Sequence, residues 1–124
     1  MRSILFGALA ALTIMPVHAA EVDTSSAGYM LPHCKASLDN PSSGTFIDGY
    51  CAGIVVGMVA IAQPVFAPGQ SPGTGRCLDV PEKTSSRQLV ETVVRYIEAR
   101  PERWNEQFQV LAVQALFDRW PCKK

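Results

Sequence analysis

The stretch GYCAGIVVGMVAIAQP (residues 49–64) carries glycine at every fourth position, Gly49, Gly53 and Gly57, in a run without a single charge. Glycine inside a helix costs about 1 kcal/mol against alanine, so three on one face need a reason. Either the run crosses a membrane, or the glycine face lets another backbone come very close. Between Asp48 and Gln63 lie fourteen uncharged residues, fewer than the ~20 that a membrane span requires. The expectation is therefore a buried core helix over residues 46–62, central in the fold, with its glycine row packed against a neighbouring helix. The opposite face carries Tyr50, Ile54, Val55, Met58 and Ile61. Thr45 followed by Asp48 is a capping-box spacing, and a carboxylate in the first turn suits the helix dipole. Asp48 is thus read as a cap rather than a catalytic acid. Pro64 is read as the stop.

Three more helices follow from period and caps. Before the glycine run, Met30, Leu31, Cys34 and Leu38 recur at steps of three and four. Pro32 is tolerated only near a first turn, so this helix is expected to be short or irregular at its start. Residues 40–44, NPSSG, end it with turn chemistry. Ser85 with Gln88 makes a second capping box, ahead of the stripe Leu89, Val90, Val93, Val94 and Ile97. Glu91 is placed to pair with Arg95 one turn later. Pro101 is placed to open the last helix. That helix sets Trp104, Phe108, Leu111, Ala112, Ala115 and Leu116 on one face and Val110, Val113 and Phe117 on a second. Two apolar faces imply deep burial or a subunit interface. No strand-like alternation appears, and the class is all-α: a small disulfide-stapled four-helix bundle.

The N-terminus sets the compartment. Arg2 precedes an apolar core at residues 4–15, Pro16 breaks it, and Val17-His18-Ala19 follows. Residues 1–19 read as a secretory signal peptide cleaved after Ala19, or else after Ala20. Residues 20–124 then form a single exported helical domain, ten basic and eleven acidic residues strong. That balance argues against nucleic acid and against anionic membrane surfaces.

Cys34, Cys51, Cys77 and Cys122 are an even set in an exported domain, which reads as two disulfides. Zinc would want close C-x-x-C pairs, and none exists. If neighbouring helices alternate in direction, all four cysteines are expected near one pole. Pairing 34–51 with 77–122 and pairing 34–122 with 51–77 both remain open.

Catalytic chemistry finds little to work with. Outside the leader the one histidine is His33, read as a surface residue. Glu91, Glu98, Glu102 and Glu106 fall in first turns or on solvated faces. No serine sits in a nucleophile elbow, and no cofactor or metal is expected. The longest irregular stretch, PVFAPGQSPGTGRCLDVPEK (residues 64–83), is dense in proline and glycine. Such loops usually carry function or disorder. Residues 69–75 lack the Gly-Lys-Ser/Thr ending of a phosphate loop. A disulfide-locked bundle with a long loop reads as a binding protein.

The ordered motifs are Cys51-x-Gly53-Ile54-x-x-Gly57, Cys77-x-x-Val80-Pro81, Ser85-x-x-Gln88, Val93-Val94 with Tyr96-Ile97, Pro101-Glu102, and Ala115-Leu116 before Pro121-Cys122. Together they resemble the Tai/Rap family of immunity proteins associated with type VI secretion. The resemblance spans residues 30–122. It departs at Trp120, where a smaller aromatic is common, and in the proline and glycine content of the loop. It implies a periplasmic, all-α, homodimeric protein that blocks a peptidoglycan amidase with a protruding loop. By position that loop is residues 68–76, where Gln70, Ser71, Thr74 and Arg76 would supply polar contacts. Gly69 and Gly73 would let the backbones approach. Two other functions fit a small exported helical domain. An HdeA-like acid-stress chaperone would carry more charge than the 18% present here. A carrier of a small apolar ligand would use the surplus apolar surface of the last helix.

Overall fold

Ser26 opens the first element of the computed structural model, which describes residues 21–41, 45–70, 73 and 75–123. Its hydroxyl accepts from the Tyr29 backbone N–H and caps helix α1, Ala27–Asp39. Helix α2 spans Phe46–Phe66, α3 spans Ser86–Glu98, and α4 spans Phe108–Arg119. A 3₁₀ turn at Pro101–Arg103 lies between the last two. Among the described residues there are two isolated β-bridges and no strand. The all-α, disulfide-stapled bundle stands as expected. The proposed signal segment, residues 1–19, lies outside the described residues.

Helix α3 matches its sequence signature closely. Ser85 and Gln88 cap it reciprocally, and Leu89, Val90, Val93, Val94 and Ile97 are all buried. They meet Phe108, Leu111, Ala112, Ala115 and Leu116 of α4, and Ala27, Met30, Leu31 and Cys34 of α1, in one core. One surface pairing differs from expectation. Glu91 bonds back to Arg87 at 3.0 Å and leaves Arg95 to solvent.

Helix α2 corrects the opening expectation. It buries only Asp48, Cys51 and Val55. An added Cβ at Gly49, Gly53 or Gly57 would meet nothing within 4 Å, so the glycine row packs against no neighbour. Phe46, Ile61 and Val65 are exposed, Phe46 at 87%. At 21 residues the helix is long and apolar enough to cross a membrane by length and composition, and it is also disulfide-bonded to α1. It runs past Pro64 to Phe66, because Phe66 packs edge-on against Phe117 of α4 at 5.2 Å. The close-approach glycine is instead Gly28. A Cβ there would meet the Trp104 carbonyl oxygen at 3.2 Å, and the Gly28 N–H donates to that oxygen at 2.8 Å.

That contact also explains why the last helix does not start at Pro101. The backbone of residues 104–107 is engaged with the start of α1. Ala27 N donates to Glu106 O, and Phe108 N donates to Ser25 O, each at 2.8 Å. Those carbonyls and amides cannot also serve a helix. Proline at 101 therefore opens a single 3₁₀ turn, and α4 begins seven residues later. Trp104 leaves the buried stripe and donates its indole N–H to Ile97 O at 2.9 Å. Of the second apolar face of α4, Val110 is exposed, while Val113 and Phe117 are half-buried.

The disulfides are Cys34–Cys51 and Cys77–Cys122. They do not share a pole. The first ties the end of α1 to the start of α2. The second follows the return of the chain to the end of α2, where Leu78 N donates to Phe66 O. In a bundle that alternates direction, the C-terminal ends of α2 and α4 meet at the pole opposite the α1–α2 turn. The two staples therefore brace opposite ends of α2, ~20 Å apart at 1.5 Å per residue.

Candidate functional site

The segment between Phe66 and Leu78 leaves the bundle and returns to the point it left. At Ala67 the backbone turns extended and ends α2. Gln70 N donates to Ala67 O at 2.9 Å and starts a tight turn. Three glycines then take positive φ: Gly69 at 80°, Gly73 at 65° and Gly75 at 68°. A Cβ is strained in that region, so glycine is the residue for these bends. None of the three has a neighbour that a Cβ would touch. Their work within this chain is turning, in the open.

The base of the loop is anchored at several points. The Leu78 N to Phe66 O bond, 2.8 Å, closes it. Leu78 is fully buried and bridges to Pro121, and Asp79 N donates to Trp120 O at 3.0 Å. Cys77–Cys122 fixes the same corner covalently. The side chain of Gln63 brackets Val80: Nε2 donates to its carbonyl at 3.0 Å, and Oε1 accepts from its N–H at 3.2 Å. The Arg76 guanidinium lies 5.9 Å from the centre of the Phe117 ring, within cation–π range. Beyond these anchors, Pro68, Gly69, Gln70, Gly73, Gly75 and Arg76 are exposed. Loops closed at the neck and exposed at the tip are frequent carriers of recognition.

Of the residues assigned to partner binding, Gly69, Gln70, Gly73 and Arg76 are thus brought together on one exposed excursion. Ser71 and Thr74 lie outside the described residues. Two participants were missed by sequence reading. Gly75 completes the set of left-handed bends, and its place in the G-x-G spacing with Gly73 was the available signal. Gln63 was read only as the end of an apolar run; nothing local points to its partner seventeen residues away.

The other polar cluster is structural. Asp48 Oδ2 accepts the Thr45 backbone N–H at 2.7 Å, and Oδ1 lies 3.2 Å from His33 Nδ1. The amide bond, foremost, and the His33 contact hold the Asp48 carboxyl below its ordinary pKa. His33 is half-buried rather than on the surface, tilted against Tyr29 with ring centres 5.2 Å apart. Its neighbour in sequence, Cys34, is oxidised, so the pair has no thiol there to activate. Of the four carboxylates considered for acid–base work, three are taken up in ion pairs, Glu91 with Arg87, Glu98 with Lys35 and Glu106 with Arg103, while Glu102 is exposed in the 3₁₀ turn.

A family model described as Rap1a immunity proteins matches residues 26–122. The matched stretch runs from the cap of α1 to the last cysteine and so takes in all four helices, the loop and both disulfides. No curated protein and no solved structure matches the chain.

Proposed function

The chain belongs to the Rap1a immunity protein family, and from that premise we propose that it neutralises a peptidoglycan amidase delivered by type VI secretion, binding it in the periplasm through the loop 68–76. Membership makes it an immunity protein whose partner is a toxin effector, and the disulfides suit an extracytoplasmic setting. The amidase, the secretion route and the loop as the binding element are our reading. The observation that carries it is the loop itself, whose neck is held by a disulfide, a buried leucine and the Gln63 bracket, while its described residues 68–70, 73 and 75 are exposed.

A loop whose two ends are already held together loses less entropy on entering a cleft than one with free ends, which favours tight binding. Its described residues offer backbone and amide groups, with Arg76 standing at the neck beside Phe117. That suits hydrogen bonding along a polar cleft. Such an inhibitor acts by occupancy, without turnover and without a cofactor.

We further read the protein as a homodimer. The support is the uncharged exposed face of α2, where Phe46, Tyr50, Val56, Ile61 and Val65 stand around the open glycine row. Exposed apolar faces of this extent mark association surfaces more often than bare solvent contact.

Protection tests the reading. Cells exporting the amidase encoded beside this chain should lyse alone and survive when the chain is exported with it. Equal lysis with and without the chain would remove the amidase as its target.

A further inference from the structure

A concave surface lies between α3 and α4, lined by none of residues 68–76. It is a groove of about 640 Å³ bounded by the chain around Pro81–Thr84. Lys83, Arg95, Arg100 and Arg119 line it, facing Glu91 and Asp118. The groove is therefore cationic in a chain whose formal charge is zero. Glu91 is partly neutralised by Arg87. Among the described residues, Lys83, Arg95 and Arg119 have no ion-pair partner.

Two of the arginines rest on aromatic rings. The Arg100 guanidinium sits 3.6 Å over the Tyr96 ring and donates to the Tyr96 carbonyl at 3.0 Å. The Arg119 guanidinium lies 5.6 Å from the Trp120 ring centre. A guanidinium held on a ring keeps much of its donor fork for a carboxylate and has less freedom to lose on binding.

We propose that this groove binds an acidic peptide, an extended segment bearing two or more carboxylates. The volume exceeds what one small anion would fill. The cations are spread over both helices and the connecting chain, so they suit carboxylates spaced along a backbone. Glu91 and Asp118 repel a polyphosphate or nucleic acid, which call for a uniformly positive track. The same two carboxylates, with the neutral Gln88 and Thr84, give peptide N–H groups acceptors between the cations. The groove shares no lining residue with the loop 68–76, although Trp120 both lines it and anchors the base of the loop, and the site stands whether or not the partner of the loop is an amidase.

The test uses residues 20–124 with both disulfides formed and tetraglutamate as the probe. Tetralysine and tripolyphosphate serve as controls, followed by amide chemical shifts and Trp120 fluorescence. Saturable tetraglutamate shifts confined to α3, α4 and residues 81–84 are expected. Arg95→Gln and Arg119→Gln, both at exposed positions, should each weaken binding about tenfold, the loss of one charge-assisted contact. Circular dichroism should be unchanged in both variants. Tighter binding of tripolyphosphate than of tetraglutamate would overturn the proposal, as would shifts scattered over the whole surface, undiminished binding in both variants, or no saturation at millimolar peptide.

Discussion

Gln63 holds both backbone polar groups of Val80, donating to its carbonyl at 3.0 Å and accepting from its N–H at 3.2 Å. One side chain near the end of α2 thereby stands in for the strand partner that the returning chain lacks. Gln63→Leu leaves both backbone groups of the buried Val80 unpaired. It should lower unfolding stability by about 1–3 kcal/mol, read from urea denaturation. Hydrogen exchange should accelerate at Leu78 and Val80 before it does in α3.

The glycines separate in the opposite sense to their spacing. Gly53→Ala puts a methyl into open space on a helix, and should raise monomer stability by about 1 kcal/mol. Gly28→Ala pushes a methyl to 3.2 Å from the Trp104 carbonyl, against backbone that is itself hydrogen-bonded to residue 28. That variant should melt below the parent. Thermal melts at low concentration, where association does not contribute, compare the two directly.

Acid should weaken the α1–α2 corner. Hydrogen bonding to Thr45 N–H, then to His33, holds the Asp48 carboxyl below its ordinary value of 3.8. A carboxyl with a depressed folded-state pKa favours the fold once pH is above its unfolded value. That contribution is lost as pH falls through the folded one. Asp48→Asn should therefore reduce stability at neutral pH and narrow its gap to the parent as pH drops below 3.8. A gap that stays constant from pH 7 to pH 2 would contradict the assignment.

The two disulfides should differ in what their loss does. Replacing Cys34 and Cys51 by alanine opens a separation of 17 residues and should cost about 3 kcal/mol; the pair 77 and 122 closes 45 residues and should cost about 4. The second pair also frees the neck of the loop. Partner affinity should fall far more in the 77/122 variant than in the 34/51 variant at equal remaining stability, measured by calorimetric titration.

Local chemistry was legible in the caps and in the α3 stripe, though not in the choice of Arg87 over Arg95 as the partner of Glu91. The Ser85–Gln88 box and the stripe from Leu89 to Ile97 fix α3 by spacing alone, and both are present in the fold. The Asp48 cap was readable for the same reason. Reading failed where a distant backbone decides. Pro101 looked like a helix start, but residues 104–107 spend their hydrogen bonds on α1. Pro64 looked like a stop, yet Phe66 just beyond it finds Phe117. The glycine row revealed a face without revealing what covers it. Spacing cannot tell a packed face from an open one, since the same small residues suit both. For the candidate site, proline and glycine density marked the loop, while its anchors at Leu78, Trp120 and Gln63 come from three separate parts of the chain.

The most direct measurement is a titration of the purified amidase with two forms of the chain, one intact and one in which residues 68–76 are replaced by a short glycine-serine link. Both must show the same helical content and two disulfides. The intact chain should abolish amidase activity at about one chain per enzyme, and the link variant should leave activity unaffected at tenfold excess. Equal inhibition by the two forms would contradict the loop as the inhibitory element.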